Sequence, residues 1–272
     1  MPDWLQVLLL GIIEGITEFL PISSTGHLLL AERWLGERTE VFTVFIQSGA
    51  VLAVLAVFKT RVQELINEWK QPKTRDYLLK MGVSFMITAV GGLALKAAGW
   101  ELDNEAVPIA WALLVGGVLF IVIEKRQTQP ETTKTERTPS IPDITWTIAL
   151  AFGIAQLVAM VFPGASRSGT TILIGLLLGM MRRDAVEFAF LLGVPTLLSA
   201  GMYQLATAIK ENPEAVQEEA TMLALGTVVS AVTAFAAVRW LMAYLQTNTF
   251  VAFGWYRIGV GTLILIMAAK GA

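Results

Sequence analysis

Six apolar runs, each close to the length of a membrane span, recur along this chain at 41–58, 78–97, 107–124, 185–209, 221–244 and 250–269. No other feature restricts the fold so severely. A helix needs about 20 apolar residues to cross a bilayer, and a spanning segment must satisfy its own backbone hydrogen bonds, so runs of this length read as helices. The composition agrees: 55% of the 272 residues are hydrophobic and 15% are charged, against roughly 25% charged in an ordinary soluble domain. The sequence therefore predicts an all-α integral membrane protein. A net charge of −2 leaves no dominant basic surface, so no nucleic-acid partner is expected. The absence of cysteine excludes disulfides and thiolate-bound metals. The opening MPDWLQ carries an acid where a removable signal peptide has basic residues, so insertion is expected to rely on the spans themselves.

Two further apolar stretches are broken. Residues 5–20 stop at Pro21 and a polar turn, and the short run that follows soon meets Glu32 and Arg33. Residues 146–162 stop at Pro163 and Gly164, and the run after them ends at Arg182 and Arg183. Each pair predicts a re-entrant helix-loop-helix hairpin, at 3–35 and at 146–181, which is tolerated at membrane depth only where protein or a cavity satisfies the free backbone. Hairpin plus three spans thus occurs twice, in 1–125 and 145–272, within one membrane domain joined by a polar linker at 126–144. Pro21 aligns with Pro163, and Gly49 with Gly193. With three spans between them, the hairpins enter from opposite sides, which makes an inverted-topology repeat whose broken helices meet near the midplane. Lys59, Arg61, Lys70, Lys73, Arg75, Lys80, Lys125, Arg126, Lys134, Arg137, Arg182, Arg183 and Arg239 all fall on one side, which the positive-inside rule makes cytoplasmic. Both termini and the acids Glu101, Asp103, Glu105, Glu211, Glu214, Glu218 and Glu219 fall on the other.

Ionisable groups in hydrocarbon are costly and mark function. Glu14 and Glu18 lie four residues apart, on one helix face, within reach of one cation. Oxygen ligands without a His or Cys cluster suit Mg2+ or Ca2+, with substrate phosphate oxygens and water completing the shell. After Pro21, the hydroxyls Ser23, Ser24 and Thr25 stand where a second helix begins, and a helix N-terminus is an anion site. Ser166, Arg167 and Ser168 repeat that arrangement, with Arg167 adding a forked, permanently charged donor for phosphate oxygens. His27, the one histidine, is placed to act as general acid, general base or nucleophile. Arg257, in the last span, is a second-tier candidate that would need a carboxylate or phosphate partner.

These residues, EGITE followed by PISSTGH in the first half and PGASRSGTT in the second, resemble the undecaprenyl-pyrophosphate phosphatase family, also called bacitracin-resistance proteins. The resemblance runs the length of the chain, with no departure inside either motif. It implies a bacterial inner-membrane enzyme, multi-pass and open to the periplasm, which agrees with the charge pattern that puts both termini on the periplasmic side. Its reaction would be hydrolysis of undecaprenyl diphosphate to undecaprenyl phosphate and inorganic phosphate, dependent on a divalent metal, recycling the carrier lipid of peptidoglycan synthesis. Bacitracin would compete by sequestering the same diphosphate. The resemblance makes Glu14 and Glu18 the essential acids, Ser23, Ser24 and Thr25 phosphate-contacting hydroxyls, His27 catalytic, and Ser166, Arg167 and Ser168 the phosphate clamp. Ser24 is the family's proposed nucleophile and His27 the rival assignment, while attack by water is equally coherent.

The alternative is a prenyl-phosphate flippase or anion transporter, because inverted repeats with broken helices also build alternating-access sites. Gln156 stands where the first half has Glu14, and Met160 where it has Glu18. Acids on one side only, facing an arginine, favour catalysis. Small residues including Ala50, Ala53, Gly91, Gly92, Gly116 and Gly117 suit close helix packing, within the chain or in a homodimer.

Overall fold

The computed structural model describes residues 1–100, 105–126 and 141–270. Most of the expected linker, including Lys134 and Arg137, lies outside the described residues, as do Glu101 and Asp103. The described residues form eleven helices and no strand: α1 (Asp3–Thr17), α2 (Ser24–Leu35), α3 (Glu40–Val57), α4 (Lys59–Asn67), α5 (Pro72–Ala97), α6 (Ala106–Arg126), α7 (Trp146–Val161), α8 (Arg167–Leu177), α9 (Arg182–Glu211), α10 (Pro213–Tyr244) and α11 (Val251–Ala269). Local chemistry sets several starts. Thr39 and Thr145 accept hydrogen bonds from the N–H groups of Phe42 and Ile148, capping α3 and α7, and Pro72 opens α5 without wasting a donor.

By length and composition five helices are apolar enough to cross a bilayer, and six if α3 and α4 count as one span bent by 77°. All six expected apolar segments lie in these helices, but their limits differ. Residues 59–80, read as a basic loop, fold into α4 and the first turns of α5, and α10 begins at Pro213, carrying Glu214, Glu218 and Glu219 on helix. Hydropathy marks only the part of a helix that lipid would cover, so polar end turns escape it. Short as it is, α4 is anchored: Leu65 is buried in the core, and the Arg61 Nε donates to Glu187 of α9 at 2.6 Å.

Both broken segments close on themselves. The Gln6 side chain of α1 donates to the Gly36 carbonyl just past α2 at 2.8 Å, and Arg38 reaches back to Asp3 and Gln6. In the second, Gly175 near the end of α8 lies against the Phe152 ring of α7, where a Cβ would stand 3.1 Å away. The packing follows a pseudo-symmetry. Exchanging α1 with α7, α3 with α9, α5 with α10 and α6 with α11 turns the α1–α10 contact into α7–α5 and α3–α10 into α9–α5, and leaves α3–α9 and α6–α11 unchanged.

Small residues serve these contacts. A Cβ on Gly15 would collide with Thr233 and the Ser230 carbonyl of α10, and one on Gly117 would lie 2.6 Å from the Gly254 carbonyl of α11. Gly91 and Gly92 of α5 face Leu157 and Met160 of α7, while Ala50 and Ala53 are buried in the core. At one end Glu124 of α6 accepts both the Arg182 guanidinium, its Nε 3.0 Å from each carboxylate oxygen, and the Phe250 N–H at 2.9 Å, fixing the starts of α9 and α11. Breaking one partner of so buried a pair typically costs about 3 to 5 kcal/mol.

Candidate active site

The two breaks meet. Each begins its second helix from the same unusual backbone: Ser23 and Ser166 hold φ of 72° and 70°, the only non-glycine residues with positive φ among the described residues. Such a conformation costs about 1 kcal/mol or more and persists where surrounding contacts over-determine it. Here the side chain of each caps the helix it precedes, Ser23 accepting from the Gly26 N–H at 3.4 Å and Ser166 from the Gly169 N–H at 3.1 Å. Each helix thus presents a partly capped N-terminus, its remaining first-turn amides open, beside the contacts that join the two breaks.

Glu18, at the end of α1, is the node between them. Its Oε1 accepts from the Arg167 Nη2 at 2.8 Å and its Oε2 from the Ser24 Oγ at 2.7 Å. Ser168 crosses the same gap through backbone, donating to the Glu18 carbonyl at 3.3 Å or the Leu20 carbonyl at 3.2 Å, and its hydroxyl lies 3.1 Å from that of Ser166. Arg167 also lies over the Phe19 ring at 5.7 Å. Room for its guanidinium comes from Gly193 of α9, where any Cβ would collide with it. Phe19 in turn packs on Phe190, 5.0 Å between centroids, fixing the first break to α9. Thr25 stands half-buried in the first turn of α2.

Glu14 is fully buried, and neither carboxylate oxygen has a hydrogen-bond partner. The Ser230 hydroxyl, on the neighbouring α10, is likewise buried and unpartnered. Orphaned buried carboxylate oxygens one turn from a second carboxylate fit a divalent cation, whose charge would satisfy both. No group of three or more His, Cys, Asp or Glu residues suited to a metal occurs among the described residues, so two carboxylates would share the ion with substrate oxygens and water.

His27 is in the loop but not on Ser24. Its Nδ1 lies 2.7 Å from the Ser23 carbonyl and its Nε2 2.8 Å from the Tyr256 hydroxyl, with the two rings stacked at 5.5 Å and 3°. A carbonyl can only accept, so Nδ1 carries a proton and donates to it; in the neutral ring Nε2 then accepts from the tyrosine. Nothing local in the sequence ties Tyr256 to a histidine 229 positions away, and in the sequence Gly193 stands out only as the repeat counterpart of Gly49.

Arg257 is fully buried, as an interior residue should be, and the partners the described residues give it are carbonyls, not a carboxylate. It donates to Pro21 at 3.2 Å, to Gly164 at 3.3 Å and Ala165 at 3.0 Å, and to Ala112 and Leu113 of α6. Backbone acceptors freed by both breaks supply its hydrogen bonds, so one side chain joins the two loops. Gln156, the counterpart of Glu14, donates to Thr88 at 2.9 Å and accepts from Thr196 at 3.1 Å.

Comparison with known proteins gives this geometry a context. The family model described as bacitracin resistance protein BacA matches residues 7–263. A protein of Rhizobium etli named undecaprenyl-diphosphatase is 48% identical over 270 residues, covering 99% of this chain and 98% of the relative. Proteins of the same name from Xylella fastidiosa and Xanthomonas oryzae pv. oryzae are 44% and 43% identical, over 97% and 100% of this chain and 98% and 100% of their own length.

Proposed function

The chain belongs to the bacitracin resistance protein BacA family, and from that premise we propose that it hydrolyses undecaprenyl diphosphate to undecaprenyl phosphate and inorganic phosphate. The observation that carries the site assignment is the continuous line Arg167–Glu18–Ser24 across the two breaks. The Ser24 Oγ attacks the terminal phosphorus, its proton passing to the Glu18 Oε2 as the anhydride P–O bond breaks and undecaprenyl phosphate leaves. Water then attacks the phosphoserine, Glu18 returns its proton to the departing serine oxygen, and phosphate leaves as the water's surplus proton passes to solvent. Arg167, only one of whose nitrogens is engaged with Glu18, turns its remaining donors to the phosphoryl oxygens. First-turn amides of α2 and α8 add dipoles aimed at the same charge. Glu14 and Glu18 would hold a divalent cation, Mg2+ or Ca2+, which when bound supplies further neutralisation of the diphosphate. His27, occupied on both ring nitrogens, orders the loop carrying Ser24 with Tyr256 as its partner.

In the membrane, the hairpins are re-entrant and the halves inverted, a reading supported by the return of each hairpin to its own start and by the exchange symmetry of the packing. The basic end is cytoplasmic, the termini and the mouth of the site are periplasmic, and the protein sits in the bacterial inner membrane. There it recycles the carrier lipid, and resistance follows because bacitracin competes for the same diphosphate. Phosphate release from undecaprenyl diphosphate by purified protein, with and without chelator, tests the assignment. The wild type turns over and Glu18→Gln does not; near-native release by that variant would overturn the site.

A further inference from the structure

The end of α3, the starts of α4 and α9 and the later turns of α10 enclose an open groove of about 460 Å3, whose lining shares no residue with either hairpin break. Lys59, Arg183 and Arg239 line it, on walls formed by Val57, Phe235 and Met242. Neighbouring cations at this end are paired: Arg61 with Glu187 and Glu64, Arg182 with Glu124, Lys80 with Asp76. No carboxylate lines the groove, and none of its three cations forms an ion pair among the described residues. Of the nearby acids, Glu187 pairs with Arg61 and Glu124 with Arg182, and Glu187 acts on Arg183 only electrostatically, without an ion-pair contact. Arg239 is steadied over the Phe235 ring at 5.6 Å, leaving its guanidinium edge available.

Three convergent positive charges from three helices exceed the single negative charge of a phosphodiester, whereas a phosphate monoester carries close to two. Guanidinium forks suit its oxygens, and the apolar wall suits a lipid tail more than bulk water. We propose that this groove binds a phosphate monoester headgroup, presented by a lipid in the adjoining leaflet, at a site separate from the one that hydrolyses substrate.

The test uses the full-length protein, purified in detergent and examined by native mass spectrometry with three probes: phosphatidic acid, phosphatidylcholine and inorganic phosphate. Wild type retains phosphatidic acid over phosphatidylcholine, and the triple variant Lys59→Ala, Arg183→Ala, Arg239→Ala loses roughly a hundredfold of that affinity. Arg239→Ala alone loses about fivefold, which keeps the test open should the triple variant fold poorly. A control of equal charge change, Lys70→Ala, Lys73→Ala, Arg75→Ala, removes exposed cations outside the groove and stays within about threefold of wild type. Displacement of the lipid by millimolar phosphate would show that the headgroup alone suffices. Absence of displacement, with the groove variants still defective, would assign the site to lipid. Equal loss in both triple variants, or loss in neither groove variant, overturns the proposal. Hydrolysis of detergent-solubilised substrate is unchanged by the groove variants, so failure here is distinguishable from failure of the catalytic assignment.

Discussion

Gln156 and Glu14 hold matching positions in the two hairpins, and their surroundings differ in kind. The glutamine sits between Thr88 and Thr196 with both ends of its amide used, while the glutamate is equally buried with neither oxygen used. The same contrast continues toward the breaks, where the first half brings Glu18 and Ser24 and the second brings Arg167. Buried polar groups are nearly always satisfied, so an orphan in one member of a matched pair points to a missing partner. On the proposed reading, one hairpin lends an arginine, and the other carries an acidic centre that the folded chain alone leaves incomplete.

The contrast can be broken from either side. The largest expected effect belongs to the lent arginine: Arg167→Ala should lower kcat/KM for undecaprenyl diphosphate by about a thousandfold or more. Arg167→Lys should recover little of it, because an ammonium cannot span Glu18 and phosphate as a fork does. Steady-state phosphate release checks both, and near-native turnover would remove Arg167 from the clamp. Next comes Gln156→Glu, which would give the second half its own acid between two threonines. An uncompensated buried carboxylate should cost about 3 kcal/mol, read as a lower thermal midpoint in chelator, and an unchanged midpoint would mean that the two environments are not so different.

Glu14→Gln makes the reverse exchange. Without metal it should leave the midpoint unchanged or raise it by up to about 1 to 2 kcal/mol, since it replaces an unpartnered buried carboxyl with an amide that can donate to Glu18, while metal-dependent hydrolysis falls. A variant that is less stable yet fully active would make Glu14 a structural residue. The smallest effect is expected of Tyr256→Phe, which removes one hydrogen bond to His27 worth about 1 kcal/mol, so turnover should drop several-fold. A loss as large as that of Arg167→Ala would promote His27 from ordering the loop to reacting with substrate.

Much of this was legible in the chain. The apolar runs marked every helix long and apolar enough to cross a bilayer, and Pro21 and Pro163 marked both breaks, because membrane length and proline chemistry act locally. Glu14, Glu18 and Arg167 announced themselves by being charged where charge is costly. What could not be read depends on contacts across the chain. Arg257 was recognisable as interior, but its carbonyl partners at Pro21 and Gly164 exist only once two breaks lie side by side. Gly193 matters because the Arg167 guanidinium occupies the volume of its missing side chain. Helix α4 stayed hidden because its polar sequence has no hydropathy signal, and its stability comes from Arg61 reaching Glu187, 126 positions away.

In the proposed reaction Ser24, held by Glu18 in the first hairpin, receives the phosphoryl group. Acid quenching during turnover of undecaprenyl diphosphate, followed by mass spectrometry of the peptide containing Ser24, detects it. A phosphoserine at Ser24 should appear only with substrate, with hydrolysis abolished and the phosphopeptide absent in Ser24→Ala. A Ser24→Ala enzyme that still releases phosphate at the wild-type rate, with no phosphopeptide in either protein, would rule the serine out as nucleophile.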